Sequence, residues 1–244
     1  MITVSIHQPS YLVWPPLLEK MARADLFIYL DDAEYSKNSE INRNRVLSRQ
    51  GPLWLTIPVN ATSGIAIRDA RIADRHWKSK HWKTIANCYA KAPFFAAEAP
   101  ALEELYRSAG QSLHDVNLLD INLTFAEWLR ERLGVTTPTV LASSLGVQSK
   151  SSQRILDLCR AVGAERYLSG PSGLGYLDLE SFERAGIEVL VQNYQHRPYP
   201  QQFRLPEFIP RLSAVDMVFS LGRVCLPEIL ARGEWVAAEV GATR

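Results

Sequence analysis

The first thirty residues leave this chain little choice of fold. "ITVSI" (2–6) alternates and is rich in β-branched side chains, so it reads as a strand. "PPLLEKMARA" (15–24) reads as a short helix. Pro15 and Pro16 suit its first turn, and Leu18, Met21 and Ala22 share a face. "LFIYL" (26–30) is an unbroken apolar run, the pattern of a strand buried on both faces. Two strands with a helix between them pair in parallel, through a right-handed crossover.

The same alternation continues. Further strands are expected at 54–59, 65–72 (an edge or hairpin member), 139–143, 166–170 and 187–192. Helices are expected at 76–92, 102–110, 118–134, 152–163, 178–186, 214–222 and 226–233. In the 118–134 helix, Leu119, Leu123, Ala126, Leu129 and Leu133 mark the apolar face, and Gly134 closes it. The expected fold class is α/β: three layers, a mostly parallel sheet with helices on both faces, Rossmann-like. One domain spans 1–244, with a small helical subdomain around 76–134.

Composition narrows the partners. A formal net charge of +1 supplies no global field toward DNA or an anionic membrane, so neither is an expected partner. Cys88, Cys159 and Cys225 form no CxxC pair, and an odd count argues against a disulfide framework. With no 18-residue apolar run and no signal-peptide pattern, a reducing cytoplasm is the expected compartment.

Open α/β sheets bind ligands at the carboxyl ends of their strands. Polar clusters fall there repeatedly: His7-Gln8-Pro9-Ser10, Asp31-Asp32, Ser169-Gly170-Pro171-Ser172-Gly173 and Gln192-Asn193-Tyr194. His7 suits a general base or a ligand to a phosphate or carbonyl oxygen; the alternative is a hydrogen-bonded structural residue. Asp31 and Asp32 point to opposite faces of an extended chain, so one faces the site and the other caps backbone N–H groups. Carboxylates held through water to Mg²⁺ are a further alternative, but no metal site is assigned. "YSKNSEINRNR" (35–45) reads as a ligand loop rich in donors for phosphate or carboxylate. "SGPSG" resembles an anion nest, without the lysine of a P-loop. "RHWKSKHWK" (75–83) is read first as an amphipathic helix face, with docking of a nucleotide, acidic carrier or RNA as the alternative. His76 and His81 lack a metal-ligand spacing.

His7 and Asp31 are therefore the candidate catalytic groups. Gln8, Ser10, Tyr11, Trp14, Asp32, Tyr35, Lys37, Asn38, Asn42, Arg43, Asn44, Ser169, Ser172 and Gln192 are candidate substrate-binding residues. No cofactor is specified.

"SIHQPSYLVW", "ARADLFIYLDD", "YSKNSEINRNRV", "WLTIPV", "HWKTI…CYAKAPFF", "RYLSGPSGLGYLD" and "YPQQF" followed by "LSAVD" resemble, in order and spacing, the WbqC-like family. The resemblance runs over nearly the whole chain. It implies a bacterial setting in surface-polysaccharide or specialised metabolism, and transfer of an acyl or aminoacyl group to an amino sugar or other amine. A small-molecule acyl acceptor is then the expected partner, with a carrier protein or aminoacyl-tRNA as donor. The family pattern continues from the HQP segment into Pro-Trp and Gly-aromatic-Asp-Lys. Here the stretch is "VWPPLLEKM", where Val13 replaces the proline and reshapes the wall of the site. The strand–His turn–helix–strand–Asp order is also similar to nucleotidyltransferases and class I synthetases, although the second histidine of their motif is missing. Nucleotidyl transfer, acyl-adenylate ligation and non-catalytic carrier binding through Lys78, Lys80 and Lys83 are the alternative readings.

Overall fold

The computed structural model describes residues 1–109, 117–203 and 205–239. Gly110, the end of the expected 102–110 helix, and residues 110–116 of the 76–134 segment lie outside the described residues. The chain opens with β1 (Thr3–His7), α1 (Pro15–Arg23) and β2 (Leu26–Tyr29). A hairpin follows, β3 (Arg43–Ser48) and β4 (Gly51–Thr56), then the short pair β5 (Val59–Asn60) and β6 (Arg71–Ile72). Next come α2 (Trp77–Tyr89), α3 (Phe95–Ser108), α4 (Leu118–Leu133), β7 (Thr139–Leu141), α5 (Ser151–Ala161) and β8 (Arg166–Ser169). The chain ends with α6 (Leu179–Arg184), β9 (Glu188–Tyr194), α7 (Ala214–Leu221), α8 (Cys225–Leu230) and β10 (Gly233–Ala237).

Six strands form the main sheet, in the order β10-β9-β8-β1-β2-β7. All neighbours run parallel except β10 against β9. The sheet is therefore α/β and mixed, mostly parallel. β1 lies at its centre, with Val4 opposite Leu26 on one side and Tyr167 on the other. Strand side chains alternate between faces. Val4 and Ile6 pack with Ile28, with Ile155 and Leu158 of α5 and with Phe182 of α6. Phe27 and Tyr29 pack on the opposite face, in a larger core with Leu17, Leu18 and Met21 of α1 and Phe125 and Leu129 of α4. Ser5 and His7 alternate with Val4 and Ile6, so they face the α1 side.

The helix between the first two strands is itself buried. Pro15 to Met21 are all withdrawn from water, Glu19 and Lys20 included. The Glu19 carboxylate accepts hydrogen bonds from Arg23 Nε (3.1 Å), Gln192 Nε2 (2.6 Å) and Trp235 Nε1 (3.0 Å). It lies hard against Gly233, where a Cβ would stand 2.2 Å from Glu19 Oε1.

Several boundaries differ from expectation. The expected 54–59 strand starts earlier, as β4, and breaks at Ile57-Pro58 before β5. Most of 65–72 is not a strand. Ile67–Asp69 form a 3-10 turn, and Ile67 and Arg68 donate their N–H groups to Ala33 and Asp31 carbonyls. The 35–45 segment is not all loop, because Arg43, Asn44 and Arg45 begin β3 and pair with Thr56, Leu55 and Trp54. α3 starts at Phe95 and runs through Pro100, which hid its first turns. β7 stops at Leu141, and Ala142–Leu145 turn as a 3-10 helix. β10, half-exposed and charged, was not expected. α4 matches its expected span. Asn117 Oδ1 caps Asp120 N, and Gly134 takes the left-handed φ of +69° that ends the helix.

An aromatic cluster closes the core around Tyr11. Its hydroxyl meets His81 Nδ1 at 2.9 Å and the Tyr106 hydroxyl at 2.5 Å, with Trp77 and Phe125 edge-on. Burial pushes the His81 pKa down to about 4; a bond to the Thr56 backbone opposes this and Lys80 adds to it. The ring is therefore neutral, and Nδ1 accepts the tyrosine proton.

Two predictions follow from this packing. Gly233→Ala forces a methyl group into the Glu19 carboxylate and should cost about 1–3 kcal/mol in urea denaturation; a loss below about 0.5 kcal/mol would show that the contact yields freely. The second concerns acid. Unfolded His81 binds a proton near pH 6.5 and folded His81 near pH 4, so the unfolded state holds more protons between these values. Stability should fall as pH drops through that window, and His81→Gln should flatten the fall. An equally steep profile in the variant would reassign the effect.

Candidate functional site

The strand order places a switch point between β1 and β8. From β1 the chain passes to α1 on one face. From β8 it passes through the Pro171–Gly175 3-10 turn to α6 on the other. Adjacent parallel strands whose connections leave to opposite faces open a gap at their carboxyl ends, the usual ligand position in open α/β sheets. His7 ends β1 and Ser169 ends β8, so both stand at this gap.

His7 is half-buried, and its Nδ1 lies 2.9 Å from the Gln8 carbonyl oxygen. A carbonyl only accepts, so Nδ1 carries the hydrogen and Nε2 keeps its lone pair. Burial, then the positive charge of Lys20, pushes the His7 pKa down to about 4 against the opposing Gln8 bond. At neutral pH the ring is uncharged, with Nε2 available.

Lys20 was not a candidate from sequence. It is 3% exposed, and burial lowers its pKa to about 8 despite the neighbouring Glu19 charge. Its Nζ lies 4.0 Å from the point where a Gly170 Cβ would stand. The ammonium has no hydrogen bond or ion pair among the described residues. A signal existed: Lys20 follows Pro16 by four residues and Leu17 by three, so it lies on their apolar row.

The HQPSY turn is held from behind. Asn44 Nδ2 donates to the Tyr11 (3.2 Å) and Leu12 (2.9 Å) carbonyls. Asn122 Nδ2, from α4, donates to the Pro9 carbonyl at 3.3 Å. Ser10 Oγ donates to the Gln8 carbonyl, and Tyr11 is sealed in the core. Gln8 is half-buried beside His7. His7 and Gln8 thus stand at the edge of the sheet, whereas Ser10, Tyr11 and Asn44 build its support.

The other expected residues scatter. Asp31 is buried, and its Oδ1 accepts from Ser143 N (3.0 Å), beyond β7. Asp32 pairs with Arg154 of α5 at 2.5 Å. Each carboxylate is thus committed on the β7 flank. Tyr35 is half-buried against the core, and Lys37 and Asn38 are exposed. Asn42 is buried and donates to the Ile57 carbonyl (2.9 Å), while Arg43 stacks on Trp54 at 4.2 Å. Ser169 is buried, donates to the Gly170 carbonyl at 3.0 Å and packs on Gly173; Ser172 is exposed. The N–H of Gly173 is spent on the Gly170 carbonyl, so the "SGPSG" stretch is a self-bonded turn. Gln192 is not at a strand end: β9 runs on to Tyr194, and Gln192 clamps Pro16 and Glu19 of α1. Trp14 stacks on His196 just past β9, beside a cleft lined by Tyr194, Arg211 and Arg232.

In the 75–83 stretch, Trp77 and His81 are buried, Lys78 donates to the Ala109 carbonyl (2.7 Å), and Lys80 meets Asp74 at 3.8 Å. Among the described residues, no group of three or more His, Cys, Asp or Glu is placed to hold a metal ion, and no helix is long and apolar enough to cross a membrane.

No solved structure matches this chain. The uncharacterized protein Rv1507c of Mycobacterium tuberculosis (strain ATCC 25618 / H37Rv) is 30% identical over 222 residues, which cover 90% of this chain and 94% of the relative. The WbqC-like protein family matches residues 8–225, from Gln8 beside the gap to the start of α8. That match begins one residue after β1 and takes in β8 and the helix that carries Lys20, and the chain belongs to the WbqC-like family.

Proposed function

We propose that the β1–β8 gap transfers an acyl or aminoacyl group to an amine, such as an amino sugar or a specialised-metabolite intermediate, and forms an amide. The observation that carries this reading is the His7 imidazole: neutral, fixed through Nδ1, with Nε2 free at the switch point. The amine nitrogen attacks the donor carbonyl carbon and the C–N bond forms. The bond to the leaving group then breaks and takes its electron pair. As the C–N bond forms the nitrogen becomes acidic, and His7 Nε2 takes its proton and passes it to the leaving group. A carrier-protein thioester or an aminoacyl-tRNA ester is the donor in this scheme. The sheet is read as Rossmann-like, and the three buried free thiols suit a reducing cytoplasm. Asp31 is assigned a positioning role through the chain beyond β7, since Ser143 occupies its Oδ1.

One observation favours a second reading. An unpaired ammonium at the gap also suits phosphate, so nucleotidyl transfer or acyl-adenylate ligation is the alternative. Calorimetry with ATP and CTP, with and without Mg²⁺, separates the two; tight nucleotide binding would favour the second.

Incubation with candidate amines and acyl or aminoacyl donors, followed by mass spectrometry, tests the first reading. His7→Ala should lower turnover by about 10²–10⁴ and leave the melting temperature within a few degrees. His7→Asn keeps a hydrogen-bond donor but no base, and should be as slow. Wild-type rates in either variant would remove His7 from the chemistry. The ring can also be followed directly. In an NMR titration, His7 should take up its proton near pH 4, because burial and Lys20 disfavour the cation; a midpoint near 6.5 would show a solvated ring away from Lys20.

A further inference from the structure

We infer that Lys20 is the anchor of an oxyanion subsite at the β1–β8 gap, taking a carboxylate or phosphate carried by a substrate. The inference rests on the proposed site's location and not on amide transfer itself.

A buried ammonium is costly unless it is paired and hydrogen-bonded. The other buried charges of this region have partners: Glu19 has three donors, and Asp31 has the Ser143 N–H. Among the described residues Lys20 has none, although it is 3% exposed. Glu19 precedes it, but that carboxylate is engaged by Arg23, Gln192 and Trp235. His7, the titratable group facing Lys20 from β1, carries no charge to balance it. The surroundings also leave room. Around the Cβ position of Gly170, Lys20 Nζ, at 4.0 Å, is the sole heavy atom within that distance, chain neighbours aside. A side chain at 170 would occupy the ground in front of the ammonium; glycine leaves it open.

These features specify the ligand's chemistry. A lysine presents a compact charge with three donors, which suits a single oxygen of a carboxylate or phosphate. A carboxylate would come from an amino acid or sugar acid, and a phosphate from a nucleotide or phosphorylated sugar. Seated there, the anion would leave its remaining groups beside His7.

Binding without turnover tests this. Wild-type protein is titrated by calorimetry with inorganic phosphate and pyrophosphate in one arm, and with acetate and glycine in the other. The same titrations are run on Lys20→Met, which keeps the length of the side chain and removes its charge. Binding in one arm identifies the anion, and Lys20→Met should weaken it by about 10–100-fold, the worth of a hydrogen bond to a charged group. Lys20→Arg, which keeps the charge, should retain part of it. Without ligand, the melting temperature of Lys20→Met should equal or exceed that of wild type, since an unpaired buried charge is gone. Absence of binding in both arms, or equal affinity in Lys20→Met, overturns the inference. A variant that melts well below wild type overturns it too, because the lysine would then be part of the fold's own bonding. Failure of the amide-transfer assay leaves these outcomes unaffected.

Discussion

A single buried carboxylate sets the geometry on which the gap depends. Glu19 reaches from α1 to Gln192 on β9 and Trp235 on β10, two strands that lie beyond β8 from the helix's own strand. Without it, one N–H of the buried Gln192 amide and the N–H of the half-buried Trp235 indole would lose their acceptor, at a cost of about 1–3 kcal/mol for a group left buried and unpaired. The clamp therefore fixes the rotation of α1 about its axis. Consecutive helical residues are separated by about 100° around the axis. With Glu19 turned toward β9 and β10, its neighbour Lys20 is turned toward the ends of β1 and β8. The direction of the unpaired ammonium is thus a consequence of the satisfied carboxylate next to it.

The turn after β1 is fixed by a second set of buried polar groups. Asn44 lies on a hairpin strand and Asn122 on α4, yet both spend their amide N–H groups on carbonyls between Pro9 and Leu12. Tyr11 adds an anchor on the core side through His81 and Tyr106. A turn with these three attachments has little freedom, and His7 and Gln8 at its start inherit that rigidity. α4 and the β3–β4 hairpin thereby serve the gap by holding its floor.

The sheet's main strands were legible because β1, β2, β8 and β9 are short apolar runs between clear breakers. Helices α4, α5 and α6 were legible through their periodic faces and closing glycines. What escaped was structure made by distant pairing. Asn42, Arg43 and Asn44 read as part of a ligand loop because each offers polar donors, but β4, the Ile57 carbonyl and the Tyr11–Leu12 carbonyls lie opposite them and engage that stretch. Gln192 looked like a strand-end residue because the apolar run stops there, while pairing with β10 carries β9 two residues further. His7 was legible because strand ends in α/β sheets are special by topology. Lys20 was not, because a charged residue in a nine-residue helix reads as its wet face unless the whole helix is known to be buried.

That distinction also separates support from function among the buried polar groups. Asp216 is as deeply buried as Glu19, and it too is satisfied, by the hydroxyls of Tyr89 (2.8 Å) and Tyr199 (2.6 Å). Such groups hold elements together, and their hydrogen bonds offset the loss of water. Lys20 and His7 share the opposite condition. One is a cation with no ion-pair partner among the described residues, and the other is an imidazole held neutral with a lone pair unspent. Packing alone favours neither, since an apolar side chain of similar size at either position would avoid the desolvation. Two such groups side by side, at the point where the topology opens the sheet, are most simply explained by a ligand that supplies what the protein withholds: a negative oxygen for the ammonium and a proton for the ring.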